Sequence, residues 1–305
     1  KKMSNLKLPK TELHCLSGHK PESTINNIKF NSNENYVVSC GADRTLKLWN
    51  PHKGLSIKTY SGGHGFEVLD VAIAHDNSKL ASVGGDRSCI LWDVSTGRVI
   101  RKFNGHTQRI NCVTFNEESS LLFTGGYDTH VRIWDCRSNS YQSVQVLTEA
   151  RDSVSDVILD KAELMTSSID GSIRSYDIRQ GVLKTDAMNE PIASLTLSND
   201  THCWVATCLD GVIRLIDRDS GELLQEYKGH THGGFRLAAT ITPDDAYVVC
   251  GSHDGSVYFW DLVEGDVVHK VAAHSKPVSA VLTCRKSDGT VLVTASWDST
   301  LKVFN

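Results

Sequence analysis

Seven aspartates in one register constrain this chain more than any other feature of its sequence. Short apolar segments end on a dipeptide closed by Asp or Asn, and successive dipeptides lie 40 to 44 residues apart: Trp49-Asn50, Trp92-Asp93, Trp134-Asp135, Tyr176-Asp177, Ile216-Asp217, Trp260-Asp261 and Phe304-Asn305. Seven residues before each closing residue, the same residue type occurs every time: Asp43, Asp86, Asp128, Asp170, Asp210, Asp254 and Asp298. Chance does not place one residue type at seven such positions, so the chain consists of seven repeats of one unit.

Each repeat has the local pattern of a β-hairpin. Residues 45–49 and 130–134 alternate in the period-2 manner of a half-buried strand. The pairs Asp170-Gly171, Asp210-Gly211 and Asp254-Gly255 indicate tight turns before such strands. No stretch shows sustained helical periodicity, so the pattern predicts an all-β chain.

A period of about 40–45 residues with Gly-His and Trp-Asp pairs resembles the WD40 repeat, which supplies four strands per propeller blade. The upstream histidine occurs in five repeats: His19, His64, His106, His230 and His274. The resemblance implies a seven-bladed WD40 β-propeller whose third strands end near residues 50, 93, 135, 177, 217, 261 and 305. The fifth repeat departs furthest from the pattern, with Ile216-Asp217 and no upstream Gly-His.

The ring is expected to close through the N-terminus. The seventh repeat ends with its third strand, and residues 11–17 precede Gly18-His19 as residues 101–104 precede Gly105-His106. We therefore expect residues 11–17 to supply the missing outer strand, which removes an open sheet edge. Residues 1–10 would be a tail, and residues 11–305 one propeller domain. Deletion of residues 1–18 should destabilise the ring, whereas deletion of residues 1–9 should not.

Charge and cysteine content argue against several classes of function. The formal net charge is −4, which disfavours non-specific binding to nucleic acid or anionic membranes. The basic residues Lys1, Lys2, Lys7 and Lys10 are interpreted as a solvated tail. The nine cysteines are odd in number and lack CxxC spacing, and no apolar run could cross a bilayer. These features favour a reducing compartment, the cytoplasm or the nucleus.

The WD40 resemblance also assigns a buried hydrogen-bonded network to the repeated polar residues. A histidine, a serine or threonine, the aspartate and the tryptophan would tie loop to strands in each blade, and the predicted members are His19, Ser39, Asp43, Trp49, His64, Ser82, Asp86, Trp92, His106, Thr124, Asp128, Trp134, Asp170, Asp210, His230, Asp254, Trp260, His274, Thr294 and Asp298. A catalytic Ser-His-Asp triad is the competing interpretation. Because a nucleophile is needed once and this trio recurs in several repeats, the structural interpretation is favoured. No metal, cofactor or catalytic residue is predicted, since metal-ligand spacings and a phosphate-binding glycine loop are absent from the sequence.

Binding is expected at the propeller face that carries the turns after each second strand. By analogy with WD proteins, this face shows the residue before each hairpin aspartate and the start of each inner strand. The candidates are Glu67, Leu69, Arg109, Tyr127, Phe235, Leu237, His253 and Trp297. Arginine and aromatic residues dominate interface energetics, so combined replacement of Tyr127, Arg109 and Trp297 should abolish partner capture without unfolding.

The sequences of individual repeats resemble those of the mitogen-activated protein kinase organizer family of WD-repeat scaffolds. The runs that carry this resemblance are TLKLWNP (45–51), EVLD (67–70), RKFNGH (101–106), WDCRS (134–138), EARDSVSDV (149–157), GELLQEYKGH (221–230) and FWDLVEG (259–265). The resemblance implies a non-catalytic scaffold, monomeric within larger complexes. Its partners would be kinase-cascade components with their adaptors, or spliceosomal proteins, in the cytoplasm and the nucleus.

A second function remains open. Trp134-Asp135-Cys136-Arg137 and Tyr176-Asp177-Ile178-Arg179 resemble the WDxR boxes of substrate receptors that dock on cullin-4 ubiquitin ligases. Arg137 and Arg179 would then be charged anchors on the opposite face. The alternative is a polar turn after the third strand, where basic residues are common.

Overall fold

The protein is a seven-bladed β-propeller. The computed structural model describes residues 7–286 and 289–305, and the predicted tail residues Lys1 and Lys2 lie outside this part. Seven four-stranded antiparallel sheets form the blades, which confirms the predicted fold class. The described residues contain no helix, and none of their segments could span a membrane as a helix.

The strands follow one another along the chain in blade order. Blades 1 to 4 comprise β2 (Ile25–Phe30), β3 (Val37–Gly41), β4 (Leu46–Asn50), β5 (Leu55–Tyr60); β6 (Val68–Ile73), β7 (Lys79–Gly84), β8 (Ser88–Asp93), β9 (Val99–Asn104); β10 (Ile110–Phe115), β11 (Leu121–Gly126), β12 (Val131–Asp135), β13 (Gln145–Leu147); and β14 (Val154–Asp160), β15 (Glu163–Ser168), β16 (Ser172–Asp177), β17 (Val182–Ala187). Blades 5 to 7 comprise β18 (Ile192–Leu197), β19 (Cys203–Cys208), β20 (Ile213–Asp217), β21 (Leu223–Tyr227); β22 (Ala239–Ile241), β23 (Tyr247–Gly251), β24 (Ser256–Asp261), β25 (Val267–Ala272); and β26 (Val278–Lys286), β27 (Gly289–Ser296), β28 (Thr300–Phe304), with β1 (Glu12–Ser17).

The blades fall into two compact units. Residues 26–192 form the four-blade unit with blades 1 to 4, and residues up to 25 with 193–305 form the three-blade unit with blades 5 to 7. The second strands are deeply buried, as β3 and β27 show with every residue buried. The outer strands bury only part of their side chains, as in β5 and β9.

Aromatic side chains join successive blades of the four-blade unit. Tyr60 at the end of β5 packs edge-on against Trp92 of blade 2, with ring centroids 6.1 Å apart. Phe103 of β9 lies 5.4 Å from the Trp134 ring of blade 3 by the same measure. Such pairs add to the area that they bury, so the outer strand of one blade is anchored to the third strand of the next.

The N-terminal strand completes blade 7. Strand β1 pairs antiparallel with β28, and Thr11 exchanges backbone hydrogen bonds with Asn305 on the same edge. The residues just before this strand differ from the expected solvated tail. Pro9 is buried, and its carbonyl oxygen accepts a hydrogen bond from Nε2 of His269 at 2.9 Å. Leu8 packs against a core cluster formed by residues of blades 6 and 7. Deletion of residues 1–9 would therefore remove the contacts that Leu8 and Pro9 make.

Candidate interaction surfaces

A continuous hydrogen-bonded chain runs through blade 3. Nδ1 of His106 lies 2.8 Å from Oδ1 of Asp128, and Nε2 of His106 lies 2.9 Å from Oγ1 of Thr124. The indole N–H of Trp134 donates to the same threonine hydroxyl at 2.9 Å. All four side chains are buried, so every polar atom in this chain depends on its neighbour for a partner.

Blades 2 and 7 repeat this arrangement. In blade 2, His64 contacts Asp86 at 3.0 Å and Ser82 at 2.7 Å, and Trp92 donates to the Ser82 hydroxyl. Blade 7 has the same contacts without the tryptophan: His274 lies 2.9 Å from Asp298 and 2.8 Å from Thr294. The repeated polar residues therefore lie inside three separate blades.

The pKa of Asp128 shows what this environment does to the carboxyl group. Burial tends to raise that pKa, but the hydrogen bond from His106, its charge and the backbone N–H of Thr107 outweigh burial and lower the pKa to about 2. The same balance lowers the pKa of Asp86. Both carboxylates are therefore ionised at neutral pH and act as hydrogen-bond acceptors.

The blade 2 contacts have the connectivity of a Ser-His-Asp triad, yet they cannot present a nucleophile. The Ser82 residue is 0% exposed, and its hydroxyl already accepts the indole N–H of Trp92. A substrate carbonyl would have to come within about 3.5 Å of that oxygen to react. The buried hydroxyl is therefore suited to structural hydrogen bonding.

Blades 4 and 5 keep the hairpin aspartate and replace its histidine with arginine. Arg174 contacts Asp170 through both terminal nitrogens, at 2.7 and 3.3 Å. In blade 5, Arg214 lies 2.6 Å from Asp210. Each arginine is four residues after its aspartate on the third strand of the blade. We call the aspartate with its histidine or arginine partner the aspartate brace.

Blade 6 differs from the predicted network. Nδ1 of His230 is buried without a hydrogen-bond partner, and burial together with neighbouring His232 lowers the pKa of His230 to about 4. Asp254 instead accepts hydrogen bonds from the hydroxyl of Tyr258 and from Nζ of Lys270. The indole N–H of Trp260 donates to a backbone carbonyl rather than to a side-chain hydroxyl. The tyrosine and lysine thus replace histidine as the partners of this aspartate.

Blade 1 shows part of the network. The indole N–H of Trp49 donates to Oγ of Ser39 at 2.8 Å, and Asp43 accepts the backbone N–H and the hydroxyl of Thr45. His19 belongs to the three-blade unit and is buried there.

A buried aspartate outside the repeated register was missed by the sequence analysis. Asp70 is 2% exposed and accepts hydrogen bonds from the side-chain amide of Asn27, at 2.7 Å, and from the backbone N–H of Val113, at 2.9 Å. It therefore joins the inner strands of blades 1, 2 and 3. A strand register shift between Val68 and Asp70 turns this side chain inward.

In the four-blade unit, an exposed arginine–tyrosine pair lies where the sequence analysis places a binding face. The guanidinium carbon of Arg109 lies 4.7 Å from the ring centroid of Tyr127, and Tyr127 is 45% exposed. Glu67 is exposed as well, whereas Leu69 is half-buried. Phe66, which the sequence analysis did not single out, is 66% exposed at the start of blade 2.

In the three-blade unit, three predicted residues form an aromatic cluster. Phe235 and Trp297 contact edge to face with centroids 4.9 Å apart, and the His253 ring stacks on Phe235 at 6.1 Å. Leu237, also predicted for this face, is instead 4% exposed and belongs to the core beneath blade 6. The error arose because β22 begins only at Ala239, so the residues before it follow no strand alternation.

Arg137 and Arg179 occupy the opposite end of their blades. Both side chains are exposed, and each follows a third-strand aspartate whose carboxylate accepts the arginine backbone N–H. Asp217 and Asp261 accept equivalent backbone bonds in blades 5 and 6, so the turn itself is general to the fold. Among the described residues, no cluster of three or more metal-ligating side chains occurs, and the nine cysteines are free thiols.

Comparison with known proteins identifies the family. The family profile described as "WD domain, G-beta repeat" matches residues 10–50, 54–93, 97–135, 221–261 and 265–305, and leaves the interval with blades 4 and 5 unmatched. The rat protein named "WD repeat domain-containing protein 83" is 44% identical over 274 residues, 90% of this chain and 86% of the relative. Its human counterpart is 47% identical over 80% of this chain and 77% of the relative, and a Dictyostelium discoideum homolog is 32% identical over 95% and 96%. The chain therefore belongs to the WD40-repeat family and is a homologue of the proteins named WD repeat domain-containing protein 83.

Proposed function

We propose that this protein is a non-catalytic scaffold that assembles mitogen-activated protein kinase cascade components with their adaptors, or serves as an accessory factor of the spliceosome. It would work in the cytoplasm and the nucleus, as a monomer within larger complexes. WD40 propellers typically serve as interaction scaffolds, and the similarity to the kinase-organizer family supports the two partner classes.

One observation carries the scaffold proposal. In blade 3, the repeated polar side chains are buried in the hydrogen-bonded network, whereas an arginine and a tyrosine that break the repeat are exposed. His106, Thr124 and Asp128 are buried in blade 3, but Arg109 and Tyr127 of the same blade face solvent. Exposed arginine and tyrosine are residue types that dominate protein interfaces.

The direct test is partner capture from separate nuclear and cytoplasmic extracts, with the full chain as bait and quantitative mass spectrometry as the readout. We expect enrichment of kinase-cascade enzymes and adaptors from the cytoplasm, or of spliceosomal proteins from the nucleus. The Arg109→Ala/Tyr127→Ala variant should lose these partners and keep the wild-type melting temperature. Failure to enrich either class above an unrelated propeller would contradict the proposal.

A second candidate is a substrate receptor of a cullin-4 ubiquitin ligase. The observation that favours it is the pair of exposed arginines, Arg137 and Arg179, at matching positions of two blades in the four-blade unit. An Arg137→Ala/Arg179→Ala variant tests it in the same capture experiment. Selective loss of the ligase adaptor would support the receptor role, whereas unchanged capture of kinase or spliceosomal partners would leave the scaffold role alone.

A further inference from the structure

The connection between the third and outer strands is longest in blade 3. It comprises residues 136–144, which we call the blade 3 loop, whereas the corresponding connections of blades 1, 2, 4, 5 and 6 contain four or five residues: 51–54, 94–98, 178–181, 218–222 and 262–266. In blades 2, 4, 5 and 6, a glycine N–H closes this connection by donating to the carbonyl of the third-strand aspartate. The blade 3 loop contains no glycine, and the Asp135 carbonyl accepts a hydrogen bond from Arg101 instead.

The middle of the blade 3 loop is exposed and held by short-range bonds. Asn139, Ser140, Tyr141 and Gln142 are all exposed, Tyr141 by 69%. The backbone N–H of Ser140 donates to the Ser138 hydroxyl, and that of Gln142 donates to the Ser140 hydroxyl, both at 3.1 Å. Such local bonds open at a low free-energy cost, so this segment can extend while the strands of the blade remain paired.

Both ends of the blade 3 loop are anchored to strand β12. At its start, Oδ1 of Asp135 accepts the backbone N–H of Arg137 at 2.7 Å. At its end, the backbone N–H of Val144 donates to a β12 carbonyl at 2.7 Å. Opening is therefore confined to the residues between these two bonds, and an enzyme could bind the loop without unpairing β12 from β13.

Ser140 differs from every other serine and threonine in the sequence because an arginine, Arg137, stands three residues before it. The Arg137 side chain is exposed, and within the described part of the chain it forms no ion pair. Asp135 contacts its backbone N–H, and Glu117 and Glu118, in the turn between the first two strands of the blade, do not pair with it. The guanidinium is therefore available to carboxylates of another protein.

We propose that Ser140 is an acceptor site for a protein serine kinase that recognises arginine three residues before the acceptor. Carboxylates in the substrate groove of such a kinase accept bidentate hydrogen bonds from the Arg137 guanidinium. The Ser140 oxygen attacks the γ-phosphorus of ATP, so that a new O–P bond forms and the bond to the β,γ-bridging oxygen breaks. ADP leaves, and the hydroxyl proton passes to the catalytic aspartate of the kinase. This site does not depend on the partners proposed above.

A phosphate on Ser140 adds about two negative charges beside two arginines. Arg101 contacts the Ser138 carbonyl and the Asn139 side chain, and Arg137 belongs to the same loop. In the described part of the chain, neither guanidinium pairs with a carboxylate. Phosphate oxygens form strong charge-assisted hydrogen bonds with arginine, so we expect the phosphorylated loop to open less readily.

Limited digestion with trypsin tests whether the blade 3 loop is accessible in the native chain. Trypsin cleaves after arginine and needs an extended segment, so it should cut after Arg137 at least tenfold faster than after Arg179. Arg179 is the matched control, because it is also exposed but lies in the closed turn of blade 4. Phosphorylation of Ser140 should slow the cut after Arg137. Equal cleavage at both arginines would overturn the proposal.

Phosphorylation of the full chain tests the acceptor itself. The probe enzyme is the catalytic subunit of cyclic-AMP-dependent protein kinase with ATP, and tandem mass spectrometry locates the phosphate. We expect Ser140 to take up at least tenfold more phosphate than any other residue, and Ser140→Ala to abolish this uptake. Ser143→Ala is the matched control in the same loop and should leave uptake unchanged. No phosphate on the native chain, or equal uptake by Ser140→Ala, would overturn the proposal.

Variants of Arg137 test how the kinase recognises the loop. Arg137→Gln should lower the kcat/KM for phosphorylation at least tenfold, or about 1.4 kcal/mol. Arg137→Lys should have a smaller effect, since it keeps the charge and loses the bidentate geometry. Arg179→Gln in blade 4 should leave kcat/KM unchanged, and all three variants should keep the wild-type melting temperature. Phosphorylation of Arg137→Gln at the wild-type rate would show that Arg137 does not direct the kinase, and the proposal would fall.

Discussion

Blades 3 and 4 hold the same aspartate in two different ways. In blade 3, Asp128 pairs with His106, which comes from the connection before the blade and lies 22 residues earlier. In blade 4, Asp170 pairs with Arg174, four residues later on the same hairpin. In both blades, a backbone N–H of the preceding connection also donates to the carboxylate. The aspartate is therefore the constant part of the brace, and its side-chain partner is exchangeable.

The residue four positions after the aspartate differs in its contacts between blades that have the upstream histidine and blades that lack it. Blade 3 also has an arginine there, but Arg132 contacts the Ser143 hydroxyl at 3.3 Å. In blade 7, Lys302 occupies this position and pairs with Glu12 at 2.8 Å. In blades 3 and 7, where a histidine contacts the aspartate, the arginine or lysine four residues after the aspartate contacts another side chain. In blades 4 and 5, which lack that histidine, the arginine at this position pairs with the aspartate.

The largest effect should come from removing the arginine of blade 4. Arg174→Leu leaves the buried carboxylate of Asp170 without its counter-charge, which should lower the free energy of unfolding by about 3–5 kcal/mol. Arg132→Leu in blade 3 is the matched control and should cost less than about 1 kcal/mol, because it loses one long hydrogen bond. Urea titration of both variants measures the difference between their free energies of unfolding. Equal decreases in the two variants would mean that Arg174 and Arg132 stabilise their blades to the same extent.

Blade 6, where the histidine is not paired with the aspartate, should make the free energy of unfolding depend on pH. Since burial lowers the pKa of His230 to about 4, the unfolded chain takes up this proton first as the pH falls. Stability contributed by neutral His230 is present above pH 6.5 and is lost between about pH 6.5 and 4, by roughly 3 kcal/mol.

Comparison of unfolding free energies at pH 7 and pH 4 tests this effect. His230→Gln should lose less stability than the wild type over that interval, whereas His75→Gln, at an exposed position, should follow the wild type. Parallel pH profiles for the wild type and His230→Gln would show that the unpartnered ring does not titrate as described.

Removal of the Thr124 hydroxyl, which contacts both His106 and Trp134, should lower the free energy of unfolding by an intermediate amount. Thr124→Val deprives both the Trp134 indole and the His106 ring of a partner, so we expect a loss of roughly 2 kcal/mol. Thr207→Val in blade 5 removes a hydroxyl that donates to the Leu237 carbonyl at 2.9 Å and should cost about 1 kcal/mol. Reversal of this order in thermal and urea unfolding would show that the chain through Thr124 is not cooperative.

The smallest effect is expected at Lys302. Its amino group pairs with Glu12 near the surface, at side-chain exposures of 22% and 39%, so Lys302→Ala should cost less than about 1 kcal/mol. A cost as large as that of Arg174→Leu would show that Lys302 also braces Asp298, and the distinction between histidine and arginine blades would fail.

The seven-bladed fold was predictable because the aspartate register marks a tight turn that every blade needs. The partner of that aspartate was less predictable. Arg132, Arg174 and Arg214 share one spacing from their aspartates, yet only the last two pair with them. The sequence signal that distinguishes these blades is the absence of the upstream histidine. Absence of the histidine together with an arginine four residues after the aspartate would have predicted the ion pair.

Side-chain direction at the start of the inner strands could not be predicted by alternation. A register shift follows the first residue of β6, β10, β14 and β26. Such a bulge inserts one residue and reverses the alternation after it. For this reason Asp70 was overlooked as a buried link between blades, and exposed Phe66, which precedes its strand, had no pattern to mark it.

The central claim is that each blade separates structure from binding: the repeated buried residues stabilise, and the exposed residues that break the repeat bind partners. Blade 3 contains both kinds, so the decisive measurement compares partner capture and melting temperature for Thr124→Val and Arg109→Ala/Tyr127→Ala. We predict a lowered melting temperature with retained capture for the first variant, and an unchanged melting temperature with lost capture for the second. Full capture by the Arg109→Ala/Tyr127→Ala variant would contradict the account.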